Sequence, residues 1–360
     1  MIRILFSIFI LGHGLIHFMG FAKAFNYGNI TQIAKEISKV SGTLWLMTAF
    51  LFITSTFLFL LKKDAWLAFG LLAVIISQIL IFAVWQDAKF GTIANVIILG
   101  VIVLNWGSYQ FEKGYQKDAK ENLRRTNMLK TDLITESDLV SLPEPVQRYL
   151  HYTGVVNKPK LKNIRVIFEG QMREKGKDFF SFTCEQYNFF DEPTRLFFMK
   201  GKIKGFTVPG YHKYSNAVAT MDIRLFGLFS VAELSGDIAN KVETVTLFND
   251  MCLIAPATLI DKRITWQAID NTSVKATFTN HGITIAAILF FNEKGQLVDF
   301  TSKDRDVNQY LFSTPVSNYK NINGVNIMTY GETIWHYPDG KFVYGKFDLK
   351  QIDYNVSELQ

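Results

Sequence analysis

Four long apolar runs dominate the first third of the chain: residues 4–21, 43–61, 65–85 and 90–111, none of which contains Asp, Glu, Lys or Arg. Each is about 18–22 residues long, enough to cross ~30 Å of hydrocarbon at ~1.5 Å per residue of helix. Trp45, Trp66, Trp85, Trp106 and Tyr109 lie near the ends of these runs, where amphipathic rings favour the membrane interface. The connections at 62–64 and 86–89 are so short that runs two, three and four must form tight antiparallel hairpins. The first run ends near Ala22-Lys23-Ala24, which resembles a small-x-small signal-peptidase site. Its length and the spans that follow favour a retained helix.

The texture changes after residue 112. A charged stretch over 113–134 has no Gly or Pro beyond residue 114 and reads as a basic juxtamembrane helix or linker. Thr135-Glu136-Ser137-Asp138 supplies an N-cap and first-turn acids for a short helix, and residues 146–152 form a second that ends at Gly154. From residue 162 onward, short segments rich in β-branched and aromatic residues alternate with turn signals. The candidate strands are 164–170, 179–186, 194–200, 217–223, 263–269, 273–278, 283–292, 297–304, 325–330, 332–336 and 342–354. One interruption, 238–260, reads as a helix that Pro256 kinks or ends.

The expected architecture is therefore a four-helix transmembrane region over 1–112, a linker over 113–134, and an α+β soluble domain over 135–360. In that domain a curved, mostly antiparallel sheet holds an internal helix.

The formal net charge is +6. Much of the excess lies between Lys113 and Lys130 and not along a nucleic-acid-binding motif, so nucleic acid is not expected as a partner. Basic residues beside a span reflect topology and contact with anionic lipid. With a cytoplasmic N-terminus, Arg3, Lys62, Lys63, Lys113, Lys117, Lys120, Arg124, Arg125 and Lys130 fall on the inside and Lys23, Lys35, Lys39 and Lys89 on the outside. That asymmetry predicts a multi-pass membrane protein with its soluble domain in the cytoplasm. Two cysteines, Cys184 and Cys252, give no CxxC and no zinc spacing, and read as two buried thiols.

Several segments are similar to a family of uncharacterised bacterial membrane-associated proteins, a domain of unknown function. They are Leu142-Pro143-Glu144-Pro145-Val146-Gln147-Arg148-Tyr149-Leu150, the run ETVTLFNDMCLIAPATLID from Glu243 to Asp261, Trp266 with Asp270, the hairpin 290–295, and Glu332-Thr333-Ile334-Trp335. The order of strands, helix and further strands also resembles the curved half-barrel of lipoprotein carriers, which implies an apolar cavity for acyl chains. Carriers of that type work outside the cytoplasm, whereas the charge count places this domain inside.

Candidate chemistry is sparse. His13 and His17, four residues apart, share a helix face and form a candidate metal pair, but with no third ligand they also suit interhelical hydrogen bonding, as do Gln78, Asn95 and Asn105. Asp304, Arg305, Glu332 and His336 form a candidate polar centre, should the late strands be neighbours. Glu243 and Asp250, seven apart, fall on one face of the internal helix, where a solvated helix face explains them as well as acid–base work. GxSxG, GxGxxG, P-loop and HExxH motifs are all missing, and no cofactor is assigned. Adjacent Phe pairs such as 189–190, 197–198 and 290–291 set one ring on each sheet face, so both faces need cover or a ligand. Phe190, Phe198, Phe291, Trp266 and Trp335 are the candidate ligand-binding residues. The leading expectation is a membrane-tethered domain that binds a lipid or other hydrophobe. The rivals are an enzyme acting on a membrane-associated substrate and a structural or regulatory partner of another membrane protein.

Overall fold

The computed structural model describes residues 2–360. The chain divides into two compact units, one built from the apolar helices and one from the β-rich remainder.

In the helical unit, α1 (Ile2–Ile16) and α2 (Phe18–Ala24) share the first apolar run, which breaks at His17. They are followed by α3 (Lys39–Leu60), α4 (Trp66–Ala83), the single turn α5 (Trp85–Ala88) and α6 (Gly91–Asn127). Taking α1 with α2, four helical stretches among the described residues are long and apolar enough to cross a membrane. Much of their apolar surface is outward, with Ile8, Phe57, Ile79, Phe82 and Val96 each more than half exposed. Water cannot solvate so broad an apolar belt cheaply, whereas acyl chains can. The fourth helix does not stop where its apolar run ends but carries on to Asn127.

The second unit opens with the short helices α7 (Glu136–Leu139) and α8 (Glu144–Thr153). Gly154 closes α8 at φ +71°, the left-handed geometry that glycine adopts without a Cβ penalty. Six strands follow: β1 (Asn163–Met172), β2 (Phe180–Phe189), β3 (Thr194–Ile203), β4 (Phe206–Ser215), β5 (Val218–Leu225) and β6 (Phe229–Ser235). Helix α9 (Asp237–Ile254) then interrupts the sheet. Pro256 ends it, and the chain leaves through a 3₁₀ turn at Pro256–Ile260. The second series comprises β7 (Ile264–Ala268), β8 (Ser273–Asn280), β9 (Ile283–Phe291), β10 (Leu297–Ser302), β11 (Leu311–Ser313), β12 (Val316–Ser317), β13 (Lys320–Ile322), β14 (Val325–Ile327), β15 (Tyr330–Tyr337) and β16 (Gly340–Tyr354).

Fourteen strands make one antiparallel sheet in the order 6-5-4-3-2-1-16-15-11-10-9-8-7, with β12 paired to β15, while β13 and β14 pair separately. The join is β1 against β16, so the end of the chain stitches the two series together. Helix α9 lies in the concavity, touching strands of both series. Val245, Leu247, Phe248, Met251 and Cys252 on α9 are fully buried, and the Phe248 ring stacks on Phe278 with centroids 5.2 Å apart.

Five strands lie outside the candidate segments: β4, β6 and the short β11, β12 and β13. Pro209 and Gly210 inside β4 argue against a central strand, but β3 and β5 hold it from both sides. Strand β6 is an exposed sheet edge, with Phe229, Val231 and Leu234 largely open. The segment 325–330 also divides, its first residues joining the small β13–β14 pair and its last opening β15.

The convex face carries its own cover. Residues 112–127 of α6 lie on it, with Tyr115, Ala119 and Leu123 buried. The Tyr115 ring stacks on Phe198 at 5.1 Å and its hydroxyl donates to Glu185 at 3.2 Å. Glu112 pairs with Lys200, Asp118 with Lys213, and Arg125 with Asp191 and Glu192. Part of the charge expected to face lipid is therefore spent on the sheet.

Candidate functional site

Alternation along β1–β4 sends one set of side chains into the concavity, and the pitch of α9 aims a matching stripe back at them. Glu243, Thr246, Asn249, Asp250, Leu253 and Ile254 recur at three- and four-residue steps along that stripe. Between stripe and sheet lies a cavity of about 230 Å³. Its walls are largely apolar, made by Phe168, Met172, Phe197, Leu253, Ile254, Phe312, Met328 and Phe347. Gln186, Arg195, His212, Glu243, Asp250, Arg305, Thr333 and Tyr344 supply its polar groups.

Arg195 is the hub of the polar side. Its Nε donates to Asp250 Oδ2 at 2.7 Å, Nη1 to Glu243 at 3.3 Å and Nη2 to Gln186 Oε1 at 3.2 Å. Asp250 Oδ2 also accepts from Gln186 at 2.7 Å and Asn188 at 3.0 Å. The Arg195 side chain is 9% exposed, Glu243 13% and Asp250 16%, so the pairing is largely out of water. Burial alone would lower the Arg195 pKa. The two carboxylates outweigh it and hold the guanidinium more firmly charged than usual. The His212 ring packs edge-on to Phe197 and is pushed down to about 4, chiefly by burial, with Arg195 and Arg305 adding to the shift and Glu243 opposing it. At neutral pH it is an uncharged ring.

Arg305 stands apart from this cluster. Its guanidinium carbon sits 4.1 Å from the Phe312 centroid, 5.8 Å from that of Tyr344 and 5.9 Å from that of Trp335, and Nη1 donates to the Tyr344 hydroxyl at 2.6 Å.

The polar centre expected from the late strands is not assembled. Asp304 accepts from Lys241 Nζ and from the Ala286 amide, both at 2.7 Å, which makes it a tie between α9 and β9. Glu332 accepts from the Tyr330 hydroxyl, and as the neighbour of the cavity-lining Gly331 and Thr333 it points to the opposite face. His336 bonds Ser313 at 2.8 Å on that same far face. Of the four, Arg305 alone reaches the cavity.

The aromatic candidates separate in the same way. Phe198 lies under Tyr115 on the convex face, and Phe291 packs on Tyr149 beneath α8. Phe190 is buried in the main core, and Trp266 packs half-buried against that core from β7. Trp335 stacks near Phe312 and Tyr344 beside the cavity without lining it. The lining rings are Phe168, Phe197, Phe312 and Phe347. Their alternation was visible in the sequence, but not which face would be concave. Glu243 and Asp250, which a solvated helix face would also have explained, face the cavity instead. Two carboxylates seven apart on a helix that is apolar at Val242, Val245, Leu247, Met251, Leu253 and Ile254 were the available signal.

In the helical unit, His13 Nε2 and Asn95 Oδ1 are 2.9 Å apart, as are His17 Nε2 and Ser77 Oγ. Asn95 donates to Ser77 and Gln78, and Gln78 to Thr92. The two histidines therefore join a polar network linking α1, α4 and α6. Asn105 instead donates to the Val101 carbonyl of its own helix. Among the described residues no group of three or more His, Cys, Asp or Glu is placed to hold a metal. Cys184 and Cys252 are both free and buried, and burial pushes the Cys184 thiol up to about 12.

No curated protein matches the chain. Among solved structures it is similar to a LolA superfamily protein from Nitrosomonas europaea, at 10% identity and TM-score 0.36 over 58% of this chain and 92% of that one. It is also similar to a domain named for outer membrane lipoprotein sorting, from Vibrio parahaemolyticus, at 8% identity and TM-score 0.36 over 59% and 91%. Both likenesses are remote and say nothing of what this chain binds. A family profile matches residues 132–347, more than half of the sequence and nearly all of its β-rich part. The chain thus belongs to DUF6544, a family of unknown function.

Proposed function

We propose that residues 135–360 form a binding domain for a hydrophobic ligand, tethered to a bacterial inner membrane by helices within residues 1–112 and joined to them through 113–134. The observation that carries this reading is the cavity beneath α9, with about 230 Å³ of space and mainly apolar walls. That space exceeds the ~150 Å³ of a dry cavity that accepts benzene, and it combines apolar walls with a few fixed polar groups, as small-molecule sites do. A hydrophobe entering it would bury carbon against Phe168, Phe197, Phe312 and Phe347, with each buried CH₂ stabilising the complex by roughly 0.8 kcal/mol. The other half of the proposal is orientation. The excess of Lys and Arg at one end of the spans puts the domain in the cytoplasm. Labelling of a cysteine introduced beside Lys89 only after cell lysis would overturn that placement.

The binding reading is tested by native mass spectrometry of the full-length protein, comparing wild type with Thr246→Trp, which fills the cavity from α9. The expected result is a small-molecule adduct on the wild type that the variant lacks. Identical adducts on both proteins would sink the reading.

A further inference from the structure

The polar end of such a ligand needs a partner, and the two cavity arginines differ in what they can offer it. Arg195 is already engaged, since each of its three nitrogens donates within the cluster and two carboxylates, Glu243 and Asp250, balance its charge. Arg305 is not. One nitrogen donates to Tyr344, its Nε is buried with no hydrogen-bond partner, and among the described residues no carboxylate lies within ion-pair distance of it. Its acidic neighbours in sequence are engaged elsewhere: Asp304 with Lys241 and the Ala286 amide, Asp306 with the Asn308 amide. A second orphan lies on the same wall. Thr333 Oγ1 is buried without a partner, two residues along β15 from the Trp335 ring that Arg305 overlies. A guanidinium lacking a counter-ion and a hydroxyl lacking an acceptor, both lining one apolar cavity, are complementary to an anionic oxygen.

We infer that the cavity takes a single-chain amphiphile with an anionic oxygen head, a carboxylate or a phosphate monoester. Arg305 and Thr333 hold the head, and Phe168, Phe197 and Phe347 contact the chain. The inference rests on the binding reading above and adds the sign and chemistry of the head. The cavity, at about 230 Å³, lies between the ~150 Å³ that holds benzene and the roughly 300 Å³ at which drug-sized sites begin. An eight-carbon chain is the matching probe.

The test is calorimetric titration of the full-length protein in nanodiscs with octanoate, octyl phosphate, octanol and octylamine, with the heats from empty nanodiscs subtracted. The expected result is that at least one of the two anions binds about tenfold or more tighter than octanol, and octylamine more weakly still. The tighter anion identifies the head. Arg305→Gln should bring the ratio of anion to octanol affinity down to about one, and Thr333→Val should reduce it. Octanol or octylamine binding as well as both anions would overturn the inference and leave the hydrophobe reading standing. No binding by any of the four would overturn both. Because the head-group series on the wild type decides alone, a poorly folded variant does not blur the outcome.

Discussion

Arg195, Glu243 and Asp250 form a buried arrangement in which the members are unequal in what their loss would do. Replacing the cation alone leaves two carboxylates facing each other in a low-dielectric cavity, whereas removing a carboxylate as well relieves that repulsion. Arg195→Met is therefore expected to lower the unfolding free energy by about 3–5 kcal/mol. Adding Glu243→Gln to that variant should restore part of the loss, and denaturant unfolding of the three proteins checks both steps. A single variant as stable as wild type would show that the cluster is solvated. His212 makes a separate claim about pH. Below about 6.5 the unfolded chain takes up a proton at this ring that the folded chain refuses until about 4, so the stability lent by the neutral ring is lost as pH falls through that window. The ring is only half-buried and faces an open cavity, so the loss is on the order of 1–2 kcal/mol, less than the full shift implies. His212→Gln should flatten the stability profile between pH 6.5 and 4, and an unchanged slope would contradict the account. At this scale the sequence was partly legible. The seven-residue spacing of Glu243 and Asp250 could be read directly, but their partner Arg195 sits 48 residues before Glu243, in a strand whose inward face only the completed sheet defines.

At the scale of elements, the helix that continues to Asn127 is the informative case. Its charged positions made residues 113–134 read as a surface helix or linker, and the helix is what forms, but Tyr115, Ala119 and Leu123 recur every four residues and are buried on the convex face. That stripe explains how a sheet with Phe on both faces stays covered: Phe197 turns to the cavity and its neighbour Phe198 to Tyr115. Tyr115→Ala deletes a fully buried ring together with its bond to Glu185, and is expected to cost about 3–5 kcal/mol. The companion expectation concerns fragments. One beginning at residue 112 should be soluble and fold cooperatively, while one beginning at residue 135 should expose Phe198 and Tyr211 and aggregate. Equal behaviour of the two would mean that α6 contributes little to the domain. Strand β4 shows the opposite limit of sequence reading. Pro209 and Gly210 count against a strand locally, and the ladders to β3 and β5 override that preference.

For the whole molecule, the division between four apolar helices and a β-rich remainder was plain from hydropathy, because hydrocarbon thickness imposes a length and a composition that few other structures satisfy. The presence of a single internal helix was also legible, as was its end at Pro256. What the sequence could not supply was curvature. Whether Phe190 and Phe291 or Phe168 and Phe347 surround the open space depends on how far a long antiparallel sheet coils and where α9 fills it, and neither leaves a local mark. The central claim is that the space left over receives a hydrophobic ligand. The most direct test is photolabelling of the full-length protein in nanodiscs with an alkyl-diazirine amphiphile, followed by mass-spectrometric mapping of the modified residues. The account expects label on Met172, Met328 and Phe347 that disappears in Thr246→Trp. Label confined to the membrane-spanning helices and the exposed edge strand β6, with the cavity residues untouched, would contradict it.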